Sequence, residues 1–180
     1  ICAVFDTFNL TQAAVDGNVC CYPSCVPGLY ASLAFNFTGG ALLRWYRDTF
    51  AALELEQAKA TGRDVYEILC ENLPKDPEHL LVLPHFTMTG TPYFDTASRG
   101  AILGLTLNTT RPEIVSAILS GVTYEMKLNL ELLQSAGVRI QRLRAIGGGA
   151  KSPAWVQRKY LLHVCHPRSL QARARYRGTR

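Results

Sequence analysis

The chain has no apolar run near the ~20 residues that a helix needs to cross a bilayer, which points away from a membrane-spanning protein. It has no internal repeat and no low-complexity block, so solenoid and fibrous architectures are excluded. It also lacks any paired Cys-x-x-Cys spacing. The six cysteines (Cys2, Cys20, Cys21, Cys25, Cys70 and Cys165) fit no zinc pattern, and a chain with 48% apolar residues needs no disulfide staples. His163, Cys165 and His166 lie close together without a second ligand cluster, so no metal ligand is assigned, and buried or incidental thiols in a reducing cytoplasm are expected. No signal peptide precedes the Asn-x-Ser/Thr triplets at Asn9, Asn36 and Asn108, which are read as chance.

Acidic residues are missing from Tyr160 to Arg180, where Arg168, Arg173, Arg175, Arg177 and Arg180 carry the whole +5 formal charge. The rest is neutral, and the excess reads as a solvated tail before it reads as a phosphate-binding one. One domain of ordinary size, with one well-buried core, is expected from 180 residues.

In place of these absences stands Gly147-Gly148-Gly149-Ala150-Lys151-Ser152-Pro153, after the apolar run Ile140 to Ile146 and before a helix-like segment. A strand that stops at glycines and restarts as a helix can bring backbone N–H groups close to an anion at the positive end of the helix dipole. The order is neither that of a Walker loop nor the Gly-x-Gly-x-x-Gly of a dinucleotide fold, so the loop alone leaves a nucleotide site and a ligand-free turn equally open.

Read in order, Ile1 to Phe5 resembles the inside of a strand rather than a natural start, and short antiparallel strands or hairpins are expected through Phe35. Apolar spacing predicts one helix from Ala41 to Ala60, then a shorter one from Asp64 as N-cap to about Asn72, after Thr61-Gly62-Arg63. A short strand over Leu80 to Leu83 ends at Pro84 and is followed by a long loop, Phe86 to Ser98, of a size often functional. Thr110, with Pro112 and Glu113, opens a long helix to Ser135, in which Gly121 permits close packing and after which Gly137 fits the C-terminus. A strand from Val138 to Ile146 and a last helix from Pro153 complete an α/β pattern with a mixed sheet.

Several of these stretches together resemble the C-terminal domain of the FGGY family of carbohydrate kinases. Gly100-x-Ile102-x-Gly104-Leu105, then Glu113-Ile114, then Ala117-Ile118-Leu119 follows the family's second signature, with Ser120 where an acid or amide is usual. Thr38-Gly39-Gly40-Ala41 leading to Leu43-Arg44-Trp45, the Pro84 to Gly100 loop, and Gly147 to Ala150 match three further motifs in order. The resemblance covers residues 1–159; residues 160–180 depart from it as a divergent basic tail. It implies a ribonuclease-H-like fold of the actin and hexokinase type, incomplete at both ends and with an exposed sheet edge.

The resemblance further implies ATP, with Mg²⁺, in a cleft between two such domains, and transfer of the γ-phosphoryl group to a sugar hydroxyl. Position by position, Gly40, Arg44, Gly148, Gly149 and Pro153 would line the nucleotide site. The catalytic Asp and most sugar contacts would belong to an N-terminal domain, so no catalytic residue is assigned. Asp95 reads as a loop carboxylate pairing with Arg99, Asp48 as part of a helix motif, His85 as a loop histidine, and Trp45 and Trp155 as core aromatics. The stretch Tyr22 to Phe50 looks most like the pentulose branch, such as xylulose kinase. The alternative is a catalytically inactive piece serving only subunit or domain contact, as in a homodimer; a nucleic-acid partner is disfavoured because no aromatic platform interleaves the arginines.

Overall fold

The structure, a computed structural model, describes residues 1–7, 11–74, 79–140 and 143–161. Residues 162–180, with His163, Cys165, His166 and the five arginines, lie outside the described residues, as does Pro77.

Three short strands open the chain: β1 (Cys2–Phe5), then a one-turn helix α1 (Gln12–Asp16), then β2 (Cys20–Pro23) and β3 (Tyr30–Leu33). They form one sheet in the order β1-β3-β2, both ladders antiparallel, with Leu33 opposite both Cys2 and Cys20. The alternation expected of a half-buried strand is present in β1, where Ala3 and Phe5 pack inward while Val4 is exposed. A second antiparallel pair joins β4 (Leu81–Leu83) to β5 (Ala101–Leu103). All three described strand pairings are antiparallel.

The single helix expected from Ala41 to Ala60 is two: α2 (Gly39–Phe50) and α3 (Ala52–Thr61). Ala51 leaves the helical region (φ −101°, ψ 39°), and its N–H reaches the Arg47 carbonyl only at 3.4 Å. The break keeps Leu42, Leu43, Tyr46 and Ala51 in the core while α3 turns away to lie on α4 (Val65–Leu69), with Leu53 left exposed. Gly62, in the left-handed region at φ 68°, ends α3, and Asp64 caps α4 by accepting the Tyr66 N–H at 2.8 Å.

Helix α5 (Arg111–Ser135) is the central element. Its start is capped by Glu113, whose carboxylate accepts the Thr110 backbone N–H at 2.6 Å and the Thr110 hydroxyl at 2.7 Å. Every residue from Val115 to Thr123 is buried, so this half of the helix has no solvent face at all. Among the described residues three apolar clusters share α5, the smallest around Leu130 with Met126, Ile140 and Leu143. Of the larger two, one gathers Leu42, Leu43 and Tyr46 of α2, Leu69, Val82 and the first turns of α5; the other gathers Ala14, Val19, Ala34, Leu133, Ala136 and Val138.

After α5 no strand forms over 138–140 or 143–146, apart from a single paired position at Leu143. Val138, Ile140 and Leu143 nevertheless pack against the clusters. The apolar pattern there records burial without a ladder. A 3₁₀ turn (Gly148–Ala150) leads into α6 (Pro153–Leu161). Among the described residues no helix is long and apolar enough to cross a membrane, and none of the described cysteines is fully buried.

Candidate functional site

A cavity of about 1170 Å³ opens between the start of α2, the glycine turn before α6, and α4. Gly40, Arg44, Gly148, Gly149 and Pro153, chosen from widely separated stretches of sequence, all line it. Long-range folding therefore brings the glycine-led start of α2 and the glycine turn ahead of α6 to face one space.

The start of α2 is open toward that space for an identifiable reason. Thr38 is its N-cap, a residue type that usually accepts a first-turn N–H with its side chain. Here the buried Thr38 hydroxyl instead donates to the Pro84 carbonyl, and no side-chain cap forms. Asn36 Oδ1 takes the Gly39 N–H at 3.0 Å, which leaves the Gly40 and Ala41 N–H groups without a partner among the described residues. A Cβ built at Gly40 meets nothing within 4 Å. The side chain of Arg44, one turn on, has no hydrogen-bond or ion-pair partner among the described residues.

The second element is the glycine turn. Gly147 adopts φ 81°, ψ −168°, a conformation that disfavours any side chain, and its carbonyl accepts the Ala150 N–H at 3.1 Å. Gly148 again has open space at its Cβ position. Gly149 does not: a Cβ there would come within 2.8 Å of the Trp155 indole. Trp155 is buried, its Nε1–H donates to Thr123 Oγ1 at 3.2 Å, and its backbone N–H meets Ser152 Oγ at 3.3 Å. It is a core aromatic, as expected. Trp45 is half-buried in an aromatic group with Phe50 and Phe86.

The far wall was not foreseen from sequence. Tyr66 of α4 is held to α2 by Arg47, whose Nη1 donates to the Tyr66 hydroxyl at 2.9 Å and whose guanidinium lies 5.4 Å from the ring centroid. Arg47 also pairs with Asp48 at 2.6 Å, and this hydrogen-bonded carboxylate pushes the Arg47 pKa further up. Arg63 pairs with Glu71 on the same wall. A helix too short to show periodicity gave no signal for this surface.

Other expectations need correction. Arg99 does not pair with Asp95; its Nη1 donates to the carbonyls of Ala97 (3.0 Å) and Ser98 (2.8 Å), while Asp95 Oδ1 accepts the Ala97 N–H at 2.8 Å. His85 is no ordinary loop histidine. It is 9% exposed, with Nε2 at 2.8 Å from Glu125 of α5 and Nδ1 at 3.2 Å from Ser98 Oγ. Among the described residues no group of three or more His, Cys, Asp or Glu could hold a metal ion.

Comparison with known proteins agrees with this geometry. The model of the FGGY family of carbohydrate kinases, C-terminal domain, matches residues 4–159. The xylulose kinase of Staphylococcus xylosus is 27% identical over 149 residues, covering 83% of this chain and 29% of that protein. The gluconokinase of Bacillus licheniformis is 33% identical over 123 residues, covering 66% and 24% respectively. The crystal structure of xylulose kinase from Rhodospirillum rubrum superimposes with a TM-score of 0.71 at 25% identity, covering 88% of this chain and 30% of that one. The expected α/β fold of the actin and hexokinase type is therefore correct. The chain spans under a third of the length of these relatives.

Proposed function

The chain belongs to the FGGY family of carbohydrate kinases, and from that premise we propose that it supplies the nucleotide-binding wall of an ATP-dependent kinase acting on a pentulose such as xylulose. One observation carries the reading: the start of α2 at Gly40 and the glycine turn at Gly148 face the same cavity as the unpaired cation of Arg44. Such a helix start presents N–H donors and a positive dipole end to an anion without a side chain in the way. The cavity, about 1170 Å³, suits a ligand of nucleotide size.

In this reading the α2 start, Arg44 and the glycine turn hold and orient the phosphate chain, and Pro153 and Gly149 border the nucleoside. Mg²⁺ bound with the phosphates would neutralise part of their charge; no residue of this chain is assigned to it. The base that accepts the sugar proton comes from outside this chain. The pentulose assignment is supported by the xylulose kinases among the similar proteins, and the cytoplasm is the compartment we assign.

The test is calorimetric titration of the full chain with ADP and Mg²⁺, comparing wild type with Gly40→Val and Gly148→Val. Both positions have free space for a side chain, so the fold should be kept while the anion is obstructed. Saturable binding that weakens at least about tenfold in both variants is expected, the size of an obstructed charge-assisted contact. A folded wild type that binds no ADP, or variants that bind it normally, overturns the assignment.

A further inference from the structure

The segment between β3 and α2, residues 34–38, forms one rim of the cavity and is clamped from behind by the long loop that follows β4. Thr91 of that loop is buried and does not itself line the cavity. It holds both backbone polar groups of Phe35: the Thr91 N–H donates to the Phe35 carbonyl at 2.9 Å, and the Phe35 N–H donates to Thr91 Oγ1 at 2.7 Å. The Thr91 hydroxyl in turn donates to Asn129 Oδ1 of α5 at 2.6 Å, and Asn129 Nδ2 donates to the Glu125 carbonyl at 2.9 Å. Next to Phe35, Asn36 accepts the Gly39 N–H, and Thr38 donates to Pro84 at the other end of the same loop. The loop approaches so closely that a Cβ on Gly90 would lie 1.8 Å from the Phe35 carbonyl oxygen.

We propose that Thr91 is a positioning residue for the nucleotide phosphates, acting through Phe35 and Asn36 on the first turn of α2; this rests on the nucleotide reading given above. Hydrogen bonds run from the middle of α5 through Thr91 to Phe35, the chain neighbour of Asn36, which in turn holds the Gly39 N–H beside the open N–H groups of Gly40 and Ala41. Preorganised donors bind without an ordering cost that mobile ones must meet. Loosening Thr91 should therefore weaken the anion contact while leaving the nucleoside contacts, which lie on other elements, as they are.

The experiment compares full-length wild type, Thr91→Val and Thr91→Ser for ADP by calorimetry and for adenosine by ligand-observed NMR, with near-UV circular dichroism as the check of fold. The shape-conserving Thr91→Val should bind ADP about tenfold more weakly and adenosine within about twofold of wild type, while Thr91→Ser, which restores the hydroxyl, recovers ADP affinity. If Thr91→Val does not fold, Thr91→Ala serves: it removes the same hydroxyl without adding bulk to the loop, and the same ADP-selective loss is expected. Wild type that binds ADP, with a variant that loses neither ligand or both alike, overturns the positioning role and leaves the nucleotide reading standing. A folded wild type that binds neither ligand overturns both.

Discussion

The edge of the Trp155 indole stands where a side chain at Gly149 would have to go, with Cζ3 only 2.8 Å from the position of its Cβ. The middle glycines of this turn thus have different reasons for being glycine: Gly149 is hemmed in by the protein itself, whereas Gly148 faces open space. Gly149→Ala is expected to lower stability by about 1–3 kcal/mol through overpacking, and to weaken ADP binding with it. Gly148→Ala should leave the thermal midpoint in place. Thermal melts of the two variants, with and without ADP, separate the roles.

Thr123 is both the acceptor for the Trp155 indole N–H and, at 2.6 Å, a donor to the Leu119 carbonyl. Thr123→Val keeps the shape and leaves the buried indole N–H without its partner, at an expected cost of about 1–3 kcal/mol. Thr123→Ser should recover most of the loss. Urea unfolding of both variants measures the difference.

Gly121 sits in the buried half of α5, where a Cβ would come within 2.3 Å of the Val82 carbonyl oxygen. Alanine raises helix propensity by about 1 kcal/mol, but the obstacle is backbone of β4 rather than a flexible side chain. The clash should prevail, and Gly121→Ala is expected to be net destabilising by about 1–3 kcal/mol in urea unfolding.

Glu113 is held below the usual carboxylate range by the hydrogen bonds it accepts from the Thr110 backbone and side chain. A carboxyl with a lowered folded pKa contributes stability that is fully present above its unfolded value, about 4.3, and disappears as pH falls through the folded value. Urea midpoints between about pH 3 and 7 should show wild type more stable than Glu113→Gln at neutral pH and the gap closing in acid. A gap that is independent of pH would mean that the charge on Glu113 contributes nothing.

Local features were legible in the sequence because their chemistry is local. Thr110, Pro112 and Glu113 announce the start of α5 within one turn, Asp64 that of α4, and Gly62 the end of α3. The five candidate site residues were found through a resemblance, and the structure assembles them around one cavity. What stayed hidden depends on partners distant in sequence. Glu125, which makes His85 a buried and bonded residue, is 40 positions away, and Pro84, which draws off the Thr38 hydroxyl, is 46 away. The break at Ala51 was invisible because the apolar spacing runs on through it. Arg99 and Asp95 were matched by charge alone, yet the turn of the loop offers Arg99 carbonyls instead.

The stretch of α5 from Val115 to Thr123 touches protein on every side. A helix wrapped in this way cannot fray from one face, and its amides become accessible only when the elements around it separate. Hydrogen exchange there should run at the rate set by global opening, far slower than in α3, which has no buried residue. That makes α5 the axle of the molecule: the elements around it must part before its amides meet solvent.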